Sequence, residues 1–331
     1  MLDIRWFAPN RYCTLPISRL REAGLRIATE GDEAARLVFV ADPSCGAEAY
    51  RYARAHRTPV ILYLWDLPPW EVGSGRPNPV VSIRGRLVKV PRLWGGYPGR
   101  NGYYSRIRVV ARRAVAVWAP STASTAAVQA RFGVACDEVP FCFDSDRFNR
   151  GVGWQKPRGV PVLFAISRLV AYKNHAAVIR AAALVSSGPS VHIIGAGPEG
   201  ANLRALAARL GVEFTLEERW QTEQQVVDAY RAASVVVSAS RFEGLGVTPL
   251  EGIALGVPTV ASDIPPHREF AAGRARLVPL DNDIALASAI DNALRFDAPA
   301  PGDAPPLPEL TIEACAARLL PRFEELLRRG R

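Results

Sequence analysis

Acidic side chains are missing from residues 72–120, a stretch that carries ten basic ones between Arg76 and Arg113. Lysine is scarce throughout: Lys89, Lys156 and Lys173 are the only three among 41 basic residues. Cysteine is sparse and odd in number. Cys13, Cys45, Cys136, Cys142 and Cys315 form no C-x-x-C pair, which excludes a zinc knuckle and a disulfide framework. The four histidines show no H-x-H or H-x-x-x-H spacing, so no metal site is expected. No run reaches the roughly 18 apolar residues of a membrane-spanning helix. The opening MLDIRWFAPN carries Asp3 and Arg5 where a signal peptide needs an apolar stretch. The expectation is a soluble, cytoplasmic chain.

At 331 residues, with 49% hydrophobic and 22% charged side chains, the chain has ordinary globular composition and room for two domains. Charge is unevenly placed. Residues 1–150 hold 22 Lys and Arg against 13 Asp and Glu, whereas residues 151–331 hold 19 of each. An Arg-rich first half suits an anionic partner, because guanidinium binds phosphate and carboxylate bidentately. Apolar segments alternate with helical patterns throughout, the mark of parallel α/β architecture. The spacing predicts strands over Leu2–Phe7, Leu37–Val40, Val60–Leu64 and Val115–Trp118, with helices over Ile17–Ala23, Gly46–Ala55 and Thr122–Phe132. In the second half Val160–Ile166, Val191–Ile194, Val235–Val237, Thr259–Ala261 and Leu277–Leu280 read as strands. His175–Val185, Leu203–Leu210 and Leu250–Leu255 read as the helices between them. A Gly/Pro-rich joint at Asn149–Gly159 and five prolines in Ala298–Pro308 divide the chain. The expected domains are residues 1–150, residues 151–300, and a Pro-rich linker with a trailing helix over 301–331.

The chemistry concentrates in the second half. In Ser240-Arg-Phe-Glu243-Gly244-Leu-Gly246-Val247-Thr248-Pro-Leu-Glu251 a strand runs into a glycine-bearing turn, and a helix is expected to start near Pro249. The amides of Gly246, Val247 and Thr248 would face whatever sits at the helix N-terminus, a place suited to phosphate. Glu251 is expected in the first turn, within reach of ribose hydroxyls, with Glu243 across the same cavity. After strand Val160–Ile166, Arg168 and Lys173 stand five residues apart across a turn. Both can converge at the carboxyl ends of parallel strands, where open α/β sheets bind ligands. Two cations and a helix N-terminus suit a diphosphate without a metal. Neither segment contains G-x-G-x-x-G or the Walker pattern, and Gly195-Ala-Gly197 alone is weak.

Glu243 and Glu251 form an E-x7-E motif that resembles the retaining GT-B glycosyltransferases of the large family four, the mannosyl- and glucosyltransferase-like enzymes. Ser167-Arg168-Leu169…Lys173-Asn174, Gly195-Ala-Gly197-Pro198, Ala229-Tyr230…Ala233-Ser234 and Gly256-Val-Pro258…Ser262 match as well. The resemblance covers about residues 155–296 and is thinner before, at Ala119-Pro-Ser121 and Val139-Pro140…Asp144. It implies two Rossmann-like domains facing a cleft, with a C-terminal helix crossing back to the first. It further implies retention without a protein nucleophile, and a UDP- or GDP-linked sugar as donor substrate rather than a cofactor. Carried over, Arg168 and Lys173 hold the diphosphate with the amides of Val247 and Thr248, around Gly244 and Gly246. Glu251 binds ribose, and Glu243 contacts the transferred sugar.

Two places depart from the family. Ala8-Pro9-Asn10-Arg11-Tyr12 replaces a Gly-Gly loop, with Asn10 or Arg11 as substitutes. Trp65 stands where a His is frequent, followed by Asp66, which either acts on the acceptor hydroxyl or caps the next turn. Trp70, Trp94, Tyr97, Tyr103 and Tyr104 interleave the basic stretch. Residues 72–113 are therefore expected either to present a solvated face or to rest on anionic membrane beside a carbohydrate or lipid-linked acceptor. A role in cell-surface glycan biosynthesis at the inner membrane face follows. The competing readings are a non-catalytic nucleotide-sugar binder, motivated by Trp65, and a nucleic-acid binder, which leaves Glu243, Glu251, Arg168 and Lys173 without a purpose.

Overall fold

Leu2–Phe7 (β1) sets Leu2, Ile4 and Trp6 on one face and Asp3, Arg5 and Phe7 on the other, and all but Leu2 are buried, as befits a strand inside a parallel sheet. The computed structural model describes residues 1–9, 11–65, 80–83, 86–89, 100–148, 154–219, 221–295 and 307–329. After β1 come Ile17–Glu22 (α1), Ile27–Ala28 (β2), Ala35–Val40 (β3), Gly46–His56 (α2) and Val60–Tyr63 (β4). An antiparallel pair follows, Val80–Ile83 (β5) with Arg86–Lys89 (β6), which the alternation did not foretell. Arg100–Arg113 (α3), Ala116–Ala119 (β7), Thr122–Phe132 (α4) and Asp137–Glu138 (β8) complete this part. Six strands form one parallel sheet in the order β2-β1-β3-β4-β7-β8. Helix α4 has the bounds expected from sequence because Ser121, in extended conformation, caps the Ser124 amide.

The second series runs Val162–Ile166 (β9), His175–Ala182 (α5), Ser190–Ile194 (β10), Gly200–Leu210 (α6), Phe214–Glu217 (β11), Glu223–Ala232 (α7) and Val235–Ser238 (β12). It continues through Val247–Leu255 (α8), Thr259–Ser262 (β13), Pro265–Ala271 (α9), Arg276–Val278 (β14), Asp283–Arg295 (α10) and Ile312–Arg329 (α11). Its six strands are all parallel in the order β11-β10-β9-β12-β13-β14. The order reverses between β9 and β12, so a crevice opens at their carboxyl ends. Leu163, Ile193, Val235, Val237 and Val260 from the strands pack against Val178, Ile179, Leu286 and Ile290 from α5 and α10.

The chain divides into two compact units, Met1–Val139 with Arg318–Arg331, and Pro140–Ala317. The end of α11 belongs to the first because Phe323, fully buried, completes an aromatic cluster there. Its ring centroid lies 6.0 Å from Trp6, 5.4 Å from Phe39 and 5.5 Å from Trp118. No helix among the described residues is long and apolar enough to cross a membrane.

Truncating Phe323 to Ala removes a ring that three aromatic neighbours enclose, and the expected loss of stability is about 3–5 kcal/mol. Urea unfolding followed by tryptophan fluorescence measures it. A loss under about 1 kcal/mol would mean the helix end does not complete that core.

Candidate active site

The two loops at the reversal of strand order are joined to each other. After β9, residues Ala171–Lys173 form a single 3-10 turn that ends at Asn174, in left-handed conformation with φ 55°. Asn accepts that conformation more readily than most residues, and it sets the direction in which Lys173 leaves the turn. The Lys173 ammonium lies 2.7 Å from both carboxylate oxygens of Glu243, which arrives from the loop after β12. The two side chains are only 11% and 12% exposed, so this is a buried ion pair. The amide of Arg241 donates to the Tyr172 carbonyl at 2.8 Å, and the Thr248 hydroxyl donates to the Ile166 carbonyl at 2.7 Å. Arg241 also pairs with Asp281.

Arg168 is exposed and hydrogen-bonds the Tyr172 hydroxyl. Its guanidinium carbon stands 5.8 Å from the Tyr172 ring centroid, and Lys173 Nζ 5.4 Å from the same centroid. The two cations therefore do converge, on one aromatic ring. Gly195 and Gly197 explain themselves here. A Cβ at Gly195 would fall 1.9 Å from the Ser167 carbonyl oxygen, and one at Gly197 2.4 Å from that of Leu169. The Gly195-Ala-Gly197 segment buttresses the Arg168 turn from below, with Leu169 N–H donating to Ala196 at 2.8 Å.

Helix α8 begins at Val247, two residues before the expected start, with Gly246 as its N-cap at φ 84°. Pro249 is thus the third helical residue, still inside the turn whose amides lack intrahelical acceptors. Glu251 consequently sits in the second turn, not the first. It is 3% exposed, and its Oε2 accepts from the Tyr230 hydroxyl at 2.7 Å. The same hydroxyl lies 3.2 Å from the Thr248 carbonyl. Gly246 carries no side chain because a Cβ there would meet His267 Cδ2 at 2.8 Å and Nε2 at 3.0 Å. His267 is fully enclosed, its Nδ1–H donating to the Ser262 carbonyl at 2.8 Å, so it shapes the loop. Tyr172, Tyr230, Arg241 and His175 were not singled out from sequence as site residues. Tyr230 was quoted as a flank, and its hydrogen bond to a buried carboxylate 21 residues on, in the next helix, becomes visible only in three dimensions.

On the first unit, Trp65 donates its indole N–H to the Ala41 carbonyl at 2.7 Å and stacks edge-on to Tyr63 at 5.4 Å. Asp66 and Asn10 lie outside the described residues, as do Trp70, Trp94, Tyr97 and the side chains of Arg11, Tyr103 and Tyr104. Of the basic stretch, Arg108, Arg112 and Arg113 are exposed on α3. Among the described residues no three His, Cys, Asp or Glu side chains are grouped to hold a metal ion.

Burial is the largest influence on Glu243 and pushes its pKa up. The charge of Lys173 and hydrogen bonds from Lys173 and Ser240 outweigh it, so the carboxyl titrates below its ordinary range. Burial, and then the nearby Lys173 charge, lower the His175 pKa to about 4, and burial lowers that of His267. Both imidazoles are therefore neutral near pH 7.

Removing one partner of the buried pair leaves the other charge uncompensated. Lys173→Ala is expected to cost about 3–5 kcal/mol, and Lys173→Met combined with Glu243→Leu to recover most of it. Thermal and urea unfolding of the three proteins check this, and an unaltered Lys173→Ala would refute the pair's importance. For His175 the unfolded chain takes up a proton below pH 6.5 while the folded chain resists until about 4. Stability therefore falls as pH drops through that window, by on the order of 3 kcal/mol in all. His175→Phe should flatten the fall, measured as unfolding free energy at pH 7 and pH 5; an unchanged slope would overturn the assignment.

Residues 149–299 match the family described as glycosyl transferases group 1. A curated relative, the lipopolysaccharide core biosynthesis mannosyltransferase LpsB of Rhizobium meliloti, is 46% identical over 48 residues, 14% of this chain and 14% of the relative. A D-inositol 3-phosphate glycosyltransferase of Acidothermus cellulolyticus is 35% identical over 134 residues, 37% of this chain and 30% of the relative. Both matches thus span less than a third of the relative's length. Among solved structures, Anabaena Alr3699/HepE in complex with UDP and glucose superposes with a TM-score of 0.64 at 15% identity, covering 99% of this chain and 100% of that one. The match to the group 1 glycosyl transferases thus covers residues 149–299, less than half of the chain, and the two parallel six-stranded sheets give the chain the GT-B fold.

Proposed function

We propose that this chain is a retaining, metal-independent hexosyltransferase that moves a sugar from a UDP- or GDP-linked donor to an acceptor hydroxyl. One observation carries the reading. Lys173, Arg168 and the N-terminus of α8 meet at the carboxyl ends of β9 and β12, where the strand order of the second sheet reverses. The named relatives transfer sugars, and the solved neighbour is described with UDP and glucose, which supports the same class of donor. In this reading residues 1–150 form the acceptor-side domain, residues 151–300 the donor domain, and residues 301–331 the linker and return helix.

Arg168 and Lys173 hold the diphosphate, with the amides of Val247 and Thr248 and the open turn at Gly244 and Gly246. As the glycosidic bond stretches, negative charge grows on the leaving diphosphate, and two fixed cations with a helix N-terminus stabilise it more than they stabilise the bound donor. That supplies the charge neutralisation a metal would otherwise provide. Glu251, oriented by Tyr230, accepts from ribose hydroxyls. Glu243, kept ionised beside Lys173, accepts from hydroxyls of the transferred sugar. The retaining outcome rests on the E-x7-E resemblance. Asp66, with Asn10, Arg11 and Trp65, belongs to the acceptor side, and residues 72–113 bring the enzyme to anionic membrane at the cytoplasmic face during cell-surface glycan synthesis.

A non-catalytic nucleotide-sugar binder is the second reading. The structural use of the Trp65 indole N–H favours it, at a position where relatives often place a His.

Calorimetric titration with UDP, GDP and ADP, each with and without EDTA, tests the donor site. One nucleotide is expected to bind, with affinity unchanged by EDTA and weakened about tenfold or more by Glu251→Gln, which removes a charged acceptor. Binding of none would sink the proposal. Binding without donor hydrolysis or transfer would select the second reading.

A further inference from the structure

The first unit holds a cavity of about 580 Å3 between α2 and α3, within the range of small-molecule sites. Its walls are apolar: Ala47 and the ring of Tyr50 from α2, Ile107 and Val110 from α3, with Leu62 of β4 as floor. Among the described residues no acidic side chain lines it. One charged residue does. Arg51 is exposed and has neither a hydrogen bond nor an ion pair among the described residues. Beside it, Arg113 reaches across from α3 to the Tyr50 hydroxyl at 3.2 Å, and Arg108 and Arg112 stand exposed on the same helix. Helix α3 contains five arginines and no acid. An apolar slot with an unengaged guanidinium in its wall matches an amphiphile, with hydrocarbon inside and an anion at the rim. Of anionic groups, phosphate suits the arginine fork and the cluster of cations around it best.

We propose that this cavity takes the hydrocarbon chain of a lipid phosphate whose head is held by Arg51, with Arg113 alongside. Burial of the chain supplies affinity, and the arginines select the head. The cavity stands on the first unit alone. That its occupant anchors the acceptor, so that the lipid rather than a bulk membrane surface brings the acceptor to the enzyme, rests on the glycosyltransferase reading above.

The test titrates the full chain with dodecyl phosphate below its micelle concentration, alongside dodecanol and inorganic phosphate. One-to-one binding of dodecyl phosphate is expected. Dodecanol should bind more weakly by about tenfold or more, because it lacks the charged partner. Ala47→Trp, which fills the slot from an exposed helix position, should abolish saturable binding. Arg51→Gln should weaken it about tenfold. Absence of saturable binding overturns the site, as does equal affinity in Ala47→Trp, equal affinity for dodecanol, or displacement by inorganic phosphate alone. Nucleotide titration of the same variants keeps the two readings apart. Amphiphile binding without nucleotide binding leaves the cavity and removes the glycosyltransferase, and the converse removes only the cavity.

Discussion

The Lys173–Glu243 ion pair is the contact on which the second unit's ligand-facing surface depends. The two residues are 70 apart in sequence and come from loops that follow different strands. A parallel sheet fixes where strands end but leaves the loops beyond them free to diverge. Here three links hold the two loops together: the ion pair, the Arg241 amide on the Tyr172 carbonyl, and the Thr248 hydroxyl on the Ile166 carbonyl. The uncharged links set distance. The ion pair sets charge, since an ionised Glu243 this deeply enclosed persists only beside a cation. In the donor site proposed above, a diphosphate entering the crevice would compete for Lys173, so donor binding and loop geometry would be coupled through one ammonium group.

Neutral imidazoles surround that pair for a related reason. His175 lies behind the Lys173 turn with Nε2 2.8 Å from the Ser167 hydroxyl, and His267 fills the space under Gly246. A charged ring in either place would add a buried cation where Lys173 already supplies one. Burial is the larger cause of both depressed pKa values, and the Lys173 charge adds to it. His267 also explains why the helix starts where it does. With its ring in the place of a side chain at residue 246, only glycine fits, and glycine at φ 84° turns the chain into α8 at Val247.

Sequence periodicity located the elements that pack on both faces, because their apolar runs are uninterrupted: β12, with Val235, Val236 and Val237 all buried, is the plain case. Punctuation located others, as Ser121 did for α4. The short edge strands β2 and β8 and the mixed strand β11 gave no such signal, since one face or one edge of each meets solvent. At the candidate site the residue types and their loops were legible, but the pairings were not. Nothing local says that Lys173 closes on Glu243, or that Glu251 turns inward to Tyr230. The displaced start of α8 has a definite cause. Proline favours the first helical position, yet the amides of the second and third residues lack intrahelical acceptors too, so Pro249 fits two residues deeper than the rule of thumb places it.

The identity of residue 173 carries its own argument. Only three of the chain's 41 basic residues are lysine, so arginine is this sequence's ordinary answer to a need for positive charge. At position 173 the cation is 11% exposed and must meet two carboxylate oxygens at 2.7 Å each while standing 5.4 Å from the Tyr172 ring. A guanidinium brings five N–H donors in a rigid plane, each of which needs an acceptor once buried. An ammonium brings three on a single small atom and can hand one to an arriving phosphate without turning a plane. Arg168, exposed and hydrogen-bonded to the Tyr172 hydroxyl, is under no such constraint of burial and follows the chain's general preference. The division of labour between the two cations is thus set by depth: a point charge where the crevice is closed, a fork where it opens to solvent.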